Sequence, residues 1–239
     1  PSSAASDVYK RQTSYHFDAT KFGGWLRDNL CQSVEHIKAR IITTLYDDAE
    51  NVKALVDDEG HHYEADYFID CSGFGSALLG GAMGQEFMEF PNLPNDSAVV
   101  THVPYKDKEK EMVNQTDGYA MDNGWCWTIP LWENIGKGYV YSSKFCGKDQ
   151  AEEEFRKHID WDGDVEHIRF KHGKRRLGWC NNVIGIGLSY GFLEPLESTG
   201  LFTTHENILR LVECFERRDG HITQIDICLL YTSPSPRDS

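Results

Sequence analysis

Residues 187–200 read GLSYGFLEPLESTG and run directly into a segment with the periodicity of a helix, residues 201–215. In that segment Ile208, Leu211, Val212 and Phe215 recur on one face, which is typical of an amphipathic helix. The preceding loop is rich in small residues, so the chain is expected to turn there and enter the helix.

The junction between loop and helix is a candidate anion site. The first turn of a helix leaves backbone N–H groups unpaired and carries a partial positive charge of roughly half a unit, which attracts anions. We expect Ser198, Thr199 and Gly200 just before the helix, with the amides of Thr199 and Gly200 facing the anion and Glu197 beside it. Plain helix capping by Ser198 or Thr199 explains the same residues without a ligand.

A second informative stretch is Trp125-Cys126-Trp127-Thr128-Ile129-Pro130. Residues two apart on a strand share a face, so both indoles are predicted to project together. Pro130 cannot donate to a strand ladder and should end regular pairing. A core strand with two large anchors is the alternative interpretation.

Between these stretches and the start of the chain, residues 67–69 form a short apolar run that ends in Asp70-Cys71-Ser72-Gly73. An apolar strand that runs into small residues indicates a buried parallel strand whose carboxyl end faces a ligand. Gly73 would permit close backbone approach there.

The remaining patterns predict a mixture of helices and strands. A helix capped by Asp18 is expected to continue as far as Ile37, and a second helix to span residues 151–159. The basic residues of 171–176 are expected on a solvated hairpin turn. Strands are predicted at residues 41–45, 52–56, 61–64, 98–103, 125–131, 139–145, 165–170 and 183–186.

Composition excludes several classes of protein. A net charge of −14 over 239 residues argues against a nucleic-acid surface, because phosphate binding needs clustered Lys and Arg. The 7 cysteines include no CxxC pair, so neither a zinc site nor a disulfide framework is expected, and a reducing cytoplasm fits best. No apolar run approaches the ~18 residues of a membrane span. Residues 1–12 and 228–239 resemble translated adapter sequence and are set apart from the fold as non-native.

Two of these motifs resemble the flavin-dependent tryptophan halogenases: FLEPLESTG at residues 192–200 and WxWxIP at residues 125–130. The resemblance implies that chloride or bromide is held by the amides of Thr199 and Gly200. It also implies that Glu197 and Ser198 act in catalysis, and that the segment from Trp125 and Trp127 to Ile129 and Pro130 walls off the space between flavin and substrate. Among the cofactor-binding residues implied in the same way are those of the turns near residues 70 and 187: Asp70, Ser72, Gly73, Gly187, Pro195 and Leu196.

The implied fold is α+β, of the FAD-binding, flavin-monooxygenase-like (glutathione-reductase) type, and incomplete. Its FAD-binding domain would comprise residues 13–90 and 182–227, with a sheet-based substrate module at residues 91–181 between them. The implied reaction halogenates an aromatic substrate, above all an indole, using O2, halide and FAD that a separate flavin reductase has reduced. The resemblance leaves open whether the enzyme forms a homodimer. The chain departs from the family in lacking a GxGxxG fingerprint and the essential Lys, which belongs upstream of Tyr15. An ordinary flavin-dependent hydroxylase and a catalytically incompetent fragment are the alternatives.

Overall fold

The structure, a computed structural model, describes residues 15–193 and 199–217. The α-helices of these ranges are α1 (Ala19–Asn29), α2 (Lys108–Glu111), α3 (Lys148–Ile159) and α4 (Thr199–Arg217), and short 3-10 or π-helical turns lie at Gly73–Gly75, Ala77–Ala82 and Gly187–Ser189. The strands are β1 (Ile41–Tyr46), β2 (Val52–Asp57), β3 (His62–Glu64), β4 (Phe68–Asp70), β5 (Phe87–Glu89), β6 (Ser97–Val103), β7 (Asp117–Met121), β8 (Gly124–Pro130), β9 (Ile135–Tyr141), β10 (Glu166–Arg169), β11 (Gly173–Arg175), β12 (Trp179–Cys180), β13 (Val183–Gly185) and β14 (Gly191–Phe192).

The chain divides into two compact units, each made of two segments. One comprises residues 1–36 and 94–169, and the other residues 37–93 and 170–239. These bounds differ from the predicted modules at residues 13–36, 91–93 and 170–181. Residues 15–36 group with residues 94–169 because the ring of His16 bonds to the Pro130 carbonyl and Lys21 pairs with Glu133. The functional assignment of the modules stays a prediction.

The first unit, which we call the sheet unit, contains an antiparallel five-stranded sheet in the order β10-β6-β9-β8-β7. Helix α3 packs against one face, where Cys126, Tyr139 and Phe155 are fully buried. The Tyr139 hydroxyl donates to Glu154 at 2.8 Å and accepts from the Asn123 amide. Burial, together with the Glu154 carboxylate, raises the pKa of Tyr139 well above its ordinary value.

The second unit, the turn unit, holds three small sheets: β1-β2-β3, β14-β11-β5 and β12-β13-β4. In the last of these sheets β4 and β13 run parallel, with Asp70 opposite Gly185 at their carboxyl ends. The apolar run at residues 67–69 had predicted a parallel strand at this position. Asn182 joins two of the sheets, because its side chain bonds to both the amide and the carbonyl of Val52.

The hairpin that follows β2 is organised by one buried carboxylate. Asp57 accepts hydrogen bonds from the Glu59 amide, from the amide and ring of His61, and from the Tyr63 hydroxyl, while Gly60 takes the left-handed turn position at φ +85°. Burial by itself would raise the pKa of Asp57, but the bonds from Tyr63 and His61 outweigh it and hold the pKa at about 2.

Several predicted elements have different limits in the structure. Asp18 caps α1 as expected, but the helix ends at Asn29 rather than continuing to Ile37. The side chains of Asn29 and Gln32 bond to backbone carbonyls there, which competes with helix continuation. The strand expected at 139–145 begins at Ile135 and ends at Tyr141, because residues after it turn back on the Ser142 carbonyl.

The basic stretch at 171–176 is not a hairpin turn. Residues Gly173–Arg175 form the central strand of the sheet β14-β11-β5. The Arg175 guanidinium lies over the Phe87 ring, 5.4 Å from its centroid, and donates to the Gln85 carbonyl at 3.0 Å. An aromatic ring and a backbone carbonyl thus hold this cation, which charge patterning had assigned to solvent.

Helix α4 uses a narrower apolar stripe than predicted. Leu211 is buried against Trp179, Ile184 and Ile186, and Phe215 packs at the edge of this cluster. Ile208 and Val212, which were expected on the same face, are 44% and 48% exposed. Within the described ranges, none of the helices has both the length and the apolar character needed to cross a membrane.

Candidate functional site

The candidate site begins with two turns that follow the parallel strands of the turn unit. The first turn comprises residues 70–76 after β4, and the second turn residues 185–189 after β13. Their glycines Gly73 and Gly187 both adopt left-handed conformations, at φ +72° and φ +70°. Within residues 15–193 and 199–217, nothing lies within 4 Å of the position that a Cβ would take at Gly73, so the backbone of the first turn is open on that side. The carboxyl end of a parallel pair is where open α/β sheets bind ligands.

Asp70 holds the first turn together. One carboxylate oxygen accepts from the amide and the hydroxyl of Ser72, at 2.9 and 2.6 Å, and the other from the amides of Leu78 and Leu79, at 2.9 and 2.8 Å. A carboxylate has about four acceptor positions, and all of them are used here within the protein. Asp70 is only 2% exposed, so its carboxylate shapes the turn rather than offering a free acceptor to a ligand.

Two buried serines join the first turn to the second. The Ser76 hydroxyl donates to the Ser189 carbonyl at 2.8 Å and accepts from the Gly80 amide at 2.9 Å. The Ser189 hydroxyl in turn bonds to the Asp70 carbonyl, and the Ile186 amide donates to that same carbonyl at 3.0 Å. Sequence reasoning missed both serines, because a lone Ser in a small-residue loop gives no signal of a partner more than 100 residues away.

The second turn also touches the first turns of α4. A Cβ on Gly187 would lie 3.4 Å from the Thr204 hydroxyl, so the helix passes close to this backbone. Thr199 and Gly200 were predicted to precede the helix. Helix α4 instead begins at Thr199, so they are its first two residues. Their amides remain among those that have no partner inside a helix. Gly200 is exposed, and none of the residues that the structure describes lies within 4 Å of the position that a Cβ would take there.

The other predicted residues of this loop lie outside the described residues: Pro195, Leu196, Glu197 and Ser198. Beside Ser72 the described part of the unit contains a cleft of about 350 Å³. Apolar side chains of β1 and β4, Ile41, Ile42 and Ile69, line one side of the cleft. In the part of the chain that the structure describes, no group of His, Cys, Asp or Glu side chains is arranged to hold a metal ion.

The paired tryptophans lie on the sheet unit, as the spacing predicted. Trp125 and Trp127 project from the same face of β8, opposite the buried Cys126, with ring centroids 5.8 Å apart and planes tilted by 52°. We call this side of the sheet the tryptophan face. Ile129 continues it, and β8 ends at the buried Pro130. Both indoles are half-buried, so part of each ring surface remains accessible.

The tryptophan face is lined by small residues on either side of Trp127. Gly118 of β7 and Gly138 of β9 are the direct cross-strand neighbours of Trp127. Trp125 lies between Ala120 and Val140. Small neighbours leave room for two large rings on a surface where cross-strand side chains normally stand about 5 Å apart.

Comparison with known protein families identifies the class. The family model for tryptophan halogenase matches residues 1–227. This match includes residues 1–12, which resemble translated adapter sequence, and it ends before residues 228–239. The chain belongs to the tryptophan halogenase family.

Individual relatives agree with the family match. The chain is 38% identical over 216 residues to a tryptophan 6-halogenase of Streptomyces toxytricini, covering 87% of this chain and 41% of that enzyme. It is 37% identical over 208 residues to a tryptophan 7-halogenase of Lentzea aerocolonigenes, covering 84% and 39%. The chain therefore spans about two fifths of the length of these relatives.

Solved structures show the same similarity in three dimensions. The apo structure of VirX1 superposes with a TM-score of 0.86 at 48% identity, covering 89% of this chain and 42% of that one. A flavin-dependent halogenase of Brevundimonas sp. BAL3 superposes with a TM-score of 0.83 at 34% identity, covering 89% and 44%. The described elements thus match part of a flavin-dependent halogenase.

Proposed function

We propose that the protein of which this chain forms part halogenates an electron-rich aromatic compound, tryptophan or another indole, using reduced FAD, O2 and chloride or bromide. The observation that carries the proposal is the joining of the two turns to the start of α4. Ser76, Ser189 and Asp70 fix the turns to each other, and Gly187 lies against Thr204. A cofactor seated on the turns would therefore be close to the amides that open α4.

The residues present fit a flavin bound as in proteins with a glutathione-reductase-type fold. The left-handed glycines Gly73 and Gly187 stand at the ends of a parallel strand pair, and the backbone at Gly73 is open. We assign Ser72, Gly73 and Gly187 to direct cofactor contact and Asp70 to holding the first turn in shape. When bound, reduced FAD would supply two electrons and halide the other two for the four-electron reduction of O2, whose oxygen atoms end in hypohalous acid and water. A separate flavin reductase would provide the reduced cofactor.

We propose that halide binds at the amide groups of Thr199 and Gly200. As the first residues of α4 they have N–H groups with no acceptor inside the helix, at the positive end of a 19-residue helix. Gly200 leaves the approach free of a side chain. Glu197 and Ser198, immediately before the helix in sequence, are proposed to accept and donate protons as hypohalous acid reacts with the substrate. Pro195 and Leu196 are proposed to contact the cofactor.

The aromatic substrate is proposed to meet the tryptophan face. Two half-buried indoles tilted at 52° offer stacking and edge contacts to a further aromatic ring. Ile129 would extend the same wall, whereas Pro130, on the buried face with Cys126, ends the strand behind it. Because this wall is apolar, it favours contact with a neutral aromatic ring over contact with water.

The test uses a gene completed to the length of its relatives. The purified enzyme, supplied with reduced FAD, O2, bromide and an indole, should give a product whose mass spectrum shows the bromine isotope pair. A hydroxylated product would instead identify the enzyme as a flavin monooxygenase and refute the proposal. Glu197→Ala should abolish that product while flavin reoxidation continues. Glu216→Ala, which removes an exposed carboxylate in the last turns of α4, should leave halogenation unchanged. Retained halogenation in Glu197→Ala would reject the role given to this carboxylate.

A further inference from the structure

The orientation of Trp127 depends on a missing side chain on the neighbouring strand. Gly138 of β9 stands directly opposite Trp127, and a Cβ built there would lie 2.0 Å from Cζ2, 2.2 Å from Cη2 and 2.5 Å from Cε2 of the indole. Distances below 3.0 Å do not occur between real Cβ atoms and other heavy atoms. The indole therefore lies on the backbone of β9, in the space that any other residue would fill.

On its other side Trp127 also faces a glycine. Gly118 of β7 is its second cross-strand neighbour, and no atom of the described residues lies within 4 Å of the Cβ position there. Gly118 and the adjacent Ala120 are exposed. The indole of Trp127 thus lies between two glycines and packs against only one of them, Gly138. The surface over Gly118 and Ala120 of β7 is left uncovered by it, and we call this surface the shelf.

No backbone requirement explains Gly138. It is absent from the glycines with positive φ, so an L-residue could adopt its conformation. Glycine in a strand interior costs conformational entropy and packing, and β-branched residues are favoured there instead. Gly136, two residues earlier on the same strand, meets only ordinary contacts at 3.7 Å or more. The need for glycine at 138 therefore comes from the indole.

We propose that Gly138 is a positioning residue of the halogenase: it seats Trp127 on β9, beside Trp125, and so keeps the shelf over Gly118 and Ala120 open for the substrate ring. The substrate part of this inference rests on the proposed function; the seating of the indole does not. A side chain at 138 would push Trp127 toward Gly118, part the two indoles and cover the shelf.

The first test uses the 239-residue chain and its optical spectra. Two indoles 5.8 Å apart couple as excitons, so the far-ultraviolet circular dichroism carries a band that depends on their distance and tilt. Gly138→Ala should change or abolish this band and shift tryptophan fluorescence, whereas Gly118→Ala and Gly136→Ala should leave both as in the parent chain. An unchanged band in Gly138→Ala would overturn the proposal.

A second test covers the case in which Gly138→Ala folds poorly. Over-packing of this kind should lower the melting temperature by roughly 2–10 °C. In a Trp127→Ala background the space over β9 is vacant, so Gly138→Ala should then lower it by less than about 2 °C. An equal loss in both backgrounds would show that the clash is not with the indole, and the proposal would be wrong.

In the completed enzyme, Gly138→Ala should raise the KM for the indole substrate and leave the halide dependence unchanged, since the halide site lies on α4. The proposed function and the role of Gly138 can be refuted independently of each other. A completed enzyme that makes no halogenated product refutes the proposed function but leaves the spectroscopic result standing. Normal halogenation together with an unmoved exciton band refutes the role of Gly138 alone.

Discussion

Removal of the Asp70 carboxylate tests how the two turns are held. Asp70→Ala deletes the acceptor of two Ser72 bonds and of the amides of Leu78 and Leu79. Leu79 is fully buried, so water cannot replace the lost partner of its amide, while Leu78 and Ser72 are more accessible. Unpaired buried donors cost about 1–3 kcal/mol each, so we expect the free energy of unfolding to fall by roughly 2–5 kcal/mol.

A matched control separates this effect from the loss of any turn carboxylate. Asp47 also accepts two backbone amides, those of Ala49 and Asn51, but it is exposed, and water can take its place. Asp47→Ala should therefore cost less than about 1 kcal/mol. Urea unfolding followed by circular dichroism measures both variants, and hydrogen exchange at the Leu79 amide reports the turn directly. Equal losses in the two variants would refute the role assigned to Asp70.

Three further predictions concern groups whose environment the structure defines. The pKa of Asp57 is lowered to about 2 in the folded protein. Its carboxylate therefore adds to the free energy of unfolding above the unfolded pKa of roughly 3.9, and this contribution is lost as the pH falls toward 2. In a pH titration, Asp57→Asn should make the free energy of unfolding depend less on pH over that window. The pKa of Tyr139 is raised, so its stabilisation is present below about pH 10 and is lost above it; Tyr139→Phe should remove that alkaline loss and cost roughly 1 kcal/mol, because Glu154 loses its donor. Gly187→Ala and Gly73→Ala should each cost roughly 1–2 kcal/mol in chemical denaturation for the left-handed backbone, and the two costs should be similar, because a Cβ at Gly187 would meet Thr204 only at van der Waals distance.

The period-two pattern of WxWxIP was sufficient to place both indoles on one face, because alternation along a strand depends on the local backbone alone. It could not place Trp127 over Gly138, since the pairing of β8 with β9 brings that glycine in from another part of the chain. The strand β9 itself was predicted four residues late for a related reason. Gly136 and Gly138 weaken the strand signal at its start, and only the tryptophan face explains why Gly138 is there.

The first turn was predicted from the residues that follow an apolar strand, and β4 is parallel to β13 as that reasoning required. The composition of the turn did not reveal that all acceptor positions of Asp70 are occupied within the protein. Nor did it reveal Ser76 and Ser189, whose partners lie 113 and 119 residues away. Helix α1 was extended too far for the opposite reason: apolar spacing continued past Asn29, but side chains that bond to carbonyls ended the helix first.

Bromide binding at the start of α4 gives the most direct test of the proposed chemistry. A crystal of the completed protein would be soaked in bromide, and anomalous differences would be measured at the bromine absorption edge. A peak within hydrogen-bonding distance of the Thr199 and Gly200 amides is the predicted result. An empty helix start, with flavin bound on the turns of Gly73 and Gly187, would contradict it.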